Sequence, residues 1–207
     1  MSSALSFESL VSVPILTRII STLRSIWVTL VTDNPLTWGF RQGKWNQFAD
    51  VEGPVYVLGA PERSIETGKG VIATLEDFKG IHSSRFCLDL VSNNCCAEGP
   101  PFLLFGQLVS PSGKPLSNAI VDWWQSNTKG DYFFSKYRLR GKFTTDSEGR
   151  FECLTVPPAT YGLGRLLRTA HVHIMFTYVD ERKKVHELTT QLYICRANDP
   201  NEMKSDL

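Results

Sequence analysis

The sequence predicts a mainly β protein: a β-sandwich or barrel preceded by a short helical segment. Three observations carry this. Beyond residue 101, short apolar and β-branched runs recur every ~8–12 residues with turn signals between them, the spacing of short sandwich strands. Near the N-terminus, Leu16 to Leu30 instead follows a three- and four-residue apolar spacing. The 207 residues, 42% hydrophobic and 21% charged, fit one domain, or one domain plus an extension, of ordinary soluble composition.

Taken in order, Pro14 suits the first turn of a helix. Leu16, Ile19, Ile20, Leu23, Ile26, Trp27 and Leu30 then form an apolar stripe, and Asp33-Asn34-Pro35 ends it. That stripe must be covered, either by the rest of the chain or by a second copy in a two-fold homodimer. Arg18 and Arg24 interrupt it, no basic region precedes it and no clean small-residue cleavage site follows, so neither a signal peptide nor a membrane span is expected. Trp38 to Asp50 has no period and reads as an ordered linker. The expected division is a helical segment and linker over 1–50 and a main domain over 51–207. Val51 to Pro61 reads as a rigid extended segment with a proline-set backbone. Ser64 to Gly80, polar and punctuated by Gly68, Gly70 and Gly80, reads as a surface loop. Phe102 to Val109 and Ala119 to Gln125 flank the turn Pro111-Ser112-Gly113-Lys114-Pro115 in the manner of a hairpin. Further strands are expected at Gly141 to Thr145, Arg150 to Val156, Ala170 to Tyr178 and Val185 to Ile194, with turns at 146–149 and 180–184.

Charge and cysteine usage narrow the function. A formal charge of +1 gives no electrostatic basis for binding nucleic acid or an acidic membrane. Five cysteines at 87, 95, 96, 153 and 195 are an odd, irregular set without a CxxC pair, which reads as reduced thiols in a cytoplasmic protein. There is no internal repeat, low-complexity tract, phosphate loop or nucleophile elbow.

What remains is His171-Val172-His173, inside the apolar run AHVHIMF. On an extended strand, alternate side chains share a face, so the two imidazoles project together. Two imidazoles suit zinc, copper, nickel or iron without choosing between them, and such a pair reads equally well as hydrogen-bonded histidines. Upstream, Tyr132 follows the chain-turning pair Gly130-Asp131, and Tyr161 follows Pro157-Pro158-Ala159-Thr160. A lone tyrosine is more often a core or rim residue. If both join the histidines the choice narrows: a phenol of pKa ~10 binds as phenolate at neutral pH only to a strongly Lewis-acidic centre, for which ferric iron is the natural candidate.

Several linked segments then resemble the intradiol ring-cleavage dioxygenases, the non-haem ferric family acting on catechol, hydroxyquinol and protocatechuate. They are EGPVYVLGAPE, FGQLVSPSGKPLSNAIVDWWQSNTKGDY, LRGKFTTDSEGRF, VPPATY, RTAHVHIMF and LTTQLY, in the family's order over roughly residues 52 to 193. The resemblance implies a two-sheet β-sandwich catalytic core and Fe(III) held by Tyr132, Tyr161, His171 and His173. It also implies that Tyr161 is the ligand exchanged for substrate, that Arg168 lies over the substrate ring, that Gln191 is the active-site glutamine, and that Pro54 and Tyr56 are substrate contacts. The implied reaction takes a small aromatic diol and O2 and gives a cis,cis-muconate-type diacid. The LRGKFTTD and EGPVY segments are nearer the catechol and hydroxyquinol branch.

The sequence departs from the family's pattern at two points. Six residues, Gly162 to Leu167, separate Tyr161 from Arg168 where relatives carry a longer loop, and Thr169 stands at the usual proline. Two further functions compete with the enzyme. One is an inactive binding module on the same sandwich, with His-Val-His holding zinc or nothing. The other is a cupin-like ferrous oxygenase, disfavoured because Glu181 is the first glutamate after His173 and lies eight residues on.

Overall fold

The computed structural model describes residues 11–33, 49–74, 77–78, 101–163 and 166–194. One helix, α1 (Ile15–Trp27), continues through a wider π-helical turn at Val28–Thr32. Ten strands follow: β1 (Ser64–Glu66), β2 (Lys69–Val71), β3 (Phe102–Gln107), β4 (Ile120–Gln125), β5 (Arg140–Thr144), β6 (Arg150–Thr155), β7 (Tyr161–Leu163), β8 (Leu166–Arg168), β9 (His171–Val179) and β10 (Val185–Tyr193). They form two four-stranded sheets, in the orders β1-β2-β6-β3 and β10-β9-β4-β5, and a two-stranded ribbon, β7-β8. The first sheet is mixed, because β2 runs parallel to β6. The second is antiparallel throughout.

The core lies between the sheets and follows from strand alternation. Val121 and Trp123 of β4, Val172, Ile174 and Phe176 of β9, and Phe143 of β5 point inward to meet Phe151 and Cys153 of β6 and Ile72. The residues between them, Asp122 and Trp124 on β4 and His171, His173 and Met175 on β9, point to the opposite face. They too are buried, because the extended segment predicted at 51–61 crosses that outer face: Val55 and Tyr56 pack on Trp124 and Met175. Both faces of the second sheet are therefore covered, as in a parallel sheet rather than in a typical half-wet antiparallel one.

Three expectations need correcting. Ser64 to Gly80 is not wholly surface loop, since β1 and β2 form a tight hairpin that delivers Val71, Ile72 and Ala73 to the core. Its three-residue strands are too short for alternation to show, and the turn is made by Gly68 at φ +82. The turn at 111–115 does not join paired neighbours. Its base closes through Ser110 N donating to Lys114 O (2.8 Å) and a Val109–Pro115 bridge, but β3 then belongs to one sheet and β4 to the other. The turn at 146–149 likewise carries the chain from β5 to β6 across the sandwich. Local turn chemistry fixes the reversal of direction, and burial of each strand's apolar face then decides which sheet it joins.

The helix is docked inside out. Its buried residues are Ser21 and Ser25, while Ile15 (72% exposed), Leu16, Ile19, Ile20, Leu23, Ile26, Trp27 and Leu30 face outward. Of the two expected covers, the main domain supplies none of this face among the described residues. The inward contacts are polar. Arg24 makes a two-pronged ion pair with Glu52 (Nη2–Oε2 2.8 Å), Ser21 Oγ accepts from Leu58 N (3.1 Å), and Asp33 Oδ2 accepts from Gly53 N (3.0 Å). The linker expected at 38–50 lies mostly outside the described residues, as do all the cysteines except buried Cys153.

Candidate metal centre

Antiparallel register sets out the site. His173 on β9 stands opposite Gln191 on β10 and Trp124 on β4, and Trp124 stands opposite Arg140 on β5. Directly paired residues share a face, so these four form one row across the outer face of the second sheet, with His171 and Tyr193 paired beside it. The His173 ring is stacked on Trp124 at 4.9 Å and 6° between planes. Gly53, at φ +74, passes over it so closely that a Cβ there would lie 3.5 Å from His173 Cε1.

The two imidazoles converge, with 3.0 Å between His171 Nε2 and His173 Nε2. His171 Nδ1 is 2.6 Å from Thr169 O, which fixes Nδ1 as the protonated nitrogen and leaves the Nε2 lone pair facing its partner. Burial, then His171, Arg168 and Arg140, hold His173 well below the usual histidine range, so its ring is neutral. Both rings are thus in the protonation state a metal requires.

The tyrosines arrive from two loops locked to each other. Asn127 organises the turn before Tyr132: its Oδ1 accepts from Lys129 N (2.9 Å) and Asp131 N (2.8 Å), and its backbone carbonyl accepts from Ala159 N (3.1 Å). Gly130, at φ +86, lies against the other loop, where a Cβ would come within 2.4 Å of Thr160 O. Only glycine allows that approach. The result is Tyr132 edge-on to Tyr161 at 5.0 Å and 78°, Tyr161 against His171 at 5.4 Å, and Tyr132 against His173 at 6.4 Å. The four residues singled out in the sequence therefore surround one point.

The Tyr132 hydroxyl is fully buried with no well-formed hydrogen bond. Burial and then neighbouring Tyr161 push its pKa above the usual phenol value, and the Ser126 backbone offsets this only weakly. A buried polar atom without a partner is costly and points to a missing one. His173 Nδ1 and both terminal nitrogens of Arg140 share the condition, although Arg140 is only 1% exposed; burial lowers the guanidinium to about 10, still charged at neutral pH. Two nitrogens 3.0 Å apart match adjacent ligands at about 2.1 Å from one ion. With two phenols beside them, the donor set fits a hard, strongly Lewis-acidic metal held by Tyr132, Tyr161, His171 and His173.

Arg168 ends β8 at the rim, and its Nη2 donates to Gln191 Oε1 (3.3 Å). Gln191 Nε2 donates to Val51 O (2.7 Å), and Tyr193, whose ring packs on His171, donates from its hydroxyl to Gln191 Oε1 (3.1 Å) and Asp50 Oδ2 (3.3 Å). Pro54 is exposed on a cavity of about 550 Å³ under α1, which Tyr56 also lines. The Tyr56 hydroxyl is committed to Asp122 Oδ2 (2.7 Å). Sequence reasoning missed Trp124, Arg140, Asp122 and Tyr193. Strand alternation around His-Val-His would have found Trp124 and Tyr193 once the pairing was known, whereas Arg140 and Asp122 carried no signal in spacing.

Fold and site together define a β-sandwich protein whose buried metal-ligand side chains project from the outer face of one sheet and from two adjoining loops. The chain belongs to the intradiol ring-cleavage dioxygenase family: the sequence model described as Dioxygenase matches residues 88–205, more than half of the chain. It is 32% identical over 171 residues to a catechol 1,2-dioxygenase of Acinetobacter baylyi, covering 72% of this chain and 46% of that protein. It is 30% identical over 165 residues to catechol 1,2-dioxygenase 1 of Acinetobacter lwoffii, covering 70% and 45%. The chain thus spans about half the length of the curated relatives it matches. Its fold resembles that of 3-chlorocatechol 1,2-dioxygenase from Rhodococcus opacus, with a TM-score of 0.58 at 24% identity over 86% of this chain and 70% of that one.

Proposed function

We propose that this chain carries the active site of an Fe(III)-dependent intradiol dioxygenase, which cleaves a catechol-type diol between its hydroxylated carbons. Both atoms of O2 enter the product, a cis,cis-muconate-type diacid. The single observation that best supports this reading is the convergence of two neutral imidazoles to 3.0 Å beside two phenol rings, in a chain of this family. No feature of the site favours the inactive binding module.

Tyr132, Tyr161, His171 and His173 hold the iron, which when bound supplies Lewis acidity that lowers the diol's pKa values and renders its ring reactive to O2. Tyr161, on the short β7 beside the rim, gives up its place and takes a diol proton on its hydroxyl oxygen. Arg168 sets a fixed cation over the ring, where negative charge develops in a site already oriented for it. Gln191 and Tyr193 keep that guanidinium in place from below. Pro54 contacts substrate at the mouth; Tyr56 contributes through its ring, since its hydroxyl is bound to Asp122. The outward apolar face of α1 is covered by a second copy in a homodimer, and the setting is the cytoplasm. Among the described residues no helix is long and apolar enough to cross a membrane.

The test is a visible spectrum of the iron-quantified protein before and after anaerobic addition of catechol or hydroxyquinol. A red-brown tyrosinate band that shifts with diol is the expected result, and the larger shift ranks the substrates. A colourless protein after ferric reconstitution would overturn the assignment.

A further inference from the structure

We propose that Arg140 is the buried counter-cation of Tyr132 in its phenolate form, and so a positioning residue of the metal centre. The inference rests on the reading of Tyr132 as a ligand and adds to it a charge partner outside the four ligands. Arg140 opens β5 directly opposite Trp124, on the face that carries His173. Its Nε donates to Phe133 O (3.2 Å), the carbonyl next in the chain to Tyr132, and its planar head lies over the Phe134 ring at 5.8 Å. Both terminal nitrogens are buried without a partner among the described residues. A guanidinium has five donors and cannot shed its proton at neutral pH, so it is not kept in such a place unless a negative charge comes to meet it.

The other charges on this face do not provide one. Asp122 accepts from Tyr56 and is bridged by Lys142 Nζ at 3.2 Å, so that pair cancels. Glu52 is taken by Arg24, and Arg168 adds positive charge from the β8 side. The excess is positive, and the group beside it that can become an anion is Tyr132, whose buried hydroxyl has no well-formed partner. The two unsatisfied groups complete each other once the phenol loses its proton to a metal.

The experiment reads the tyrosinate-to-iron absorption band in ferric-loaded wild type, Arg140→Met, Arg140→Gln, Arg140→Lys and Tyr132→Phe, with iron quantified and melting of the metal-free proteins recorded. The transition moves an electron away from the phenolate, and a cation beside the phenolate opposes this. Loss of the charge in the Met and Gln variants therefore shifts the band to longer wavelength, and Lys restores most of its position. The metal-free Met variant melts no lower than wild type, since an unpaired buried charge has been removed; the Gln variant reads the same shift should Met fail to fold. An unshifted band in both neutral variants, or a Lys variant shifted as far as Met, overturns the role of Arg140 and leaves the ligand assignment standing. A wild-type protein that takes up iron without the band, or a Tyr132→Phe protein that keeps it unchanged, overturns the ligand assignment and this inference with it.

Discussion

Each of the four converging side chains is set by a neighbour of a particular kind, and its removal has a distinct signature. His173→Ala and Tyr132→Phe are expected to lose bound iron, as measured by metal analysis after purification, because each deletes a donor. Arg168→Ala is expected to keep iron and lose turnover, since its guanidinium lies at the rim with Gln191 rather than among the donors. A variant of either kind with wild-type iron and activity would refute the role given to it. Gly130→Ala acts through the backbone: a Cβ at 2.4 Å from Thr160 O, at φ +86, forces the two tyrosine loops apart. It is expected to cost about 1–3 kcal/mol in denaturant unfolding and to weaken iron retention as well. The ligand-type residues were legible because histidines on alternate positions and turn residues before tyrosines are local patterns. Arg140 was not, because a charged residue at the start of a strand reads as solvated until the covering segment is known.

At the scale of elements, the sequence reading held best where partners are close in the chain. The β9-β10 hairpin, with its charged turn at 180–184, was expected within a residue or two of its observed bounds. The corners at 111–115 and 146–149 were recognised as turns but not as crossings between sheets, since that choice depends on contacts far apart in sequence. β2 was missed altogether, although its Gly70 explains how it fits: a Cβ there would meet the Phe143 ring at 2.4 Å. Gly70→Val is accordingly expected to displace Phe143 and cost about 1–3 kcal/mol, read as a lowered denaturation midpoint with the iron ligands untouched. The outward face of α1 belongs to this scale too. Leu23→Glu, exposed in a single copy, is expected to convert a dimer to a monomer in sedimentation; a wild-type protein that sediments as a monomer would refute the pairing.

For the molecule as a whole, the class of fold and the outline of the site could be read from residues alone, whereas the second covered face of the β10-β9-β4-β5 sheet could not. The alternation in β4 and β9 looked like that of half-buried strands, and only the crossing of 51–60 over them turns an outer surface into a pocket. That crossing is held from outside by α1 through Arg24–Glu52, Ser21 and Asp33 rather than by apolar burial. Releasing the helix from a single copy thus uncovers little oily surface, so it carries a small heat-capacity change and little denaturant sensitivity, and salt screens the ion pair. The strands beneath melt as a separate, steeper cooperative unit. Amide exchange in α1 should then quicken with added salt well before any protection is lost in β9, which would leave the sandwich intact with its ligand face bared to water.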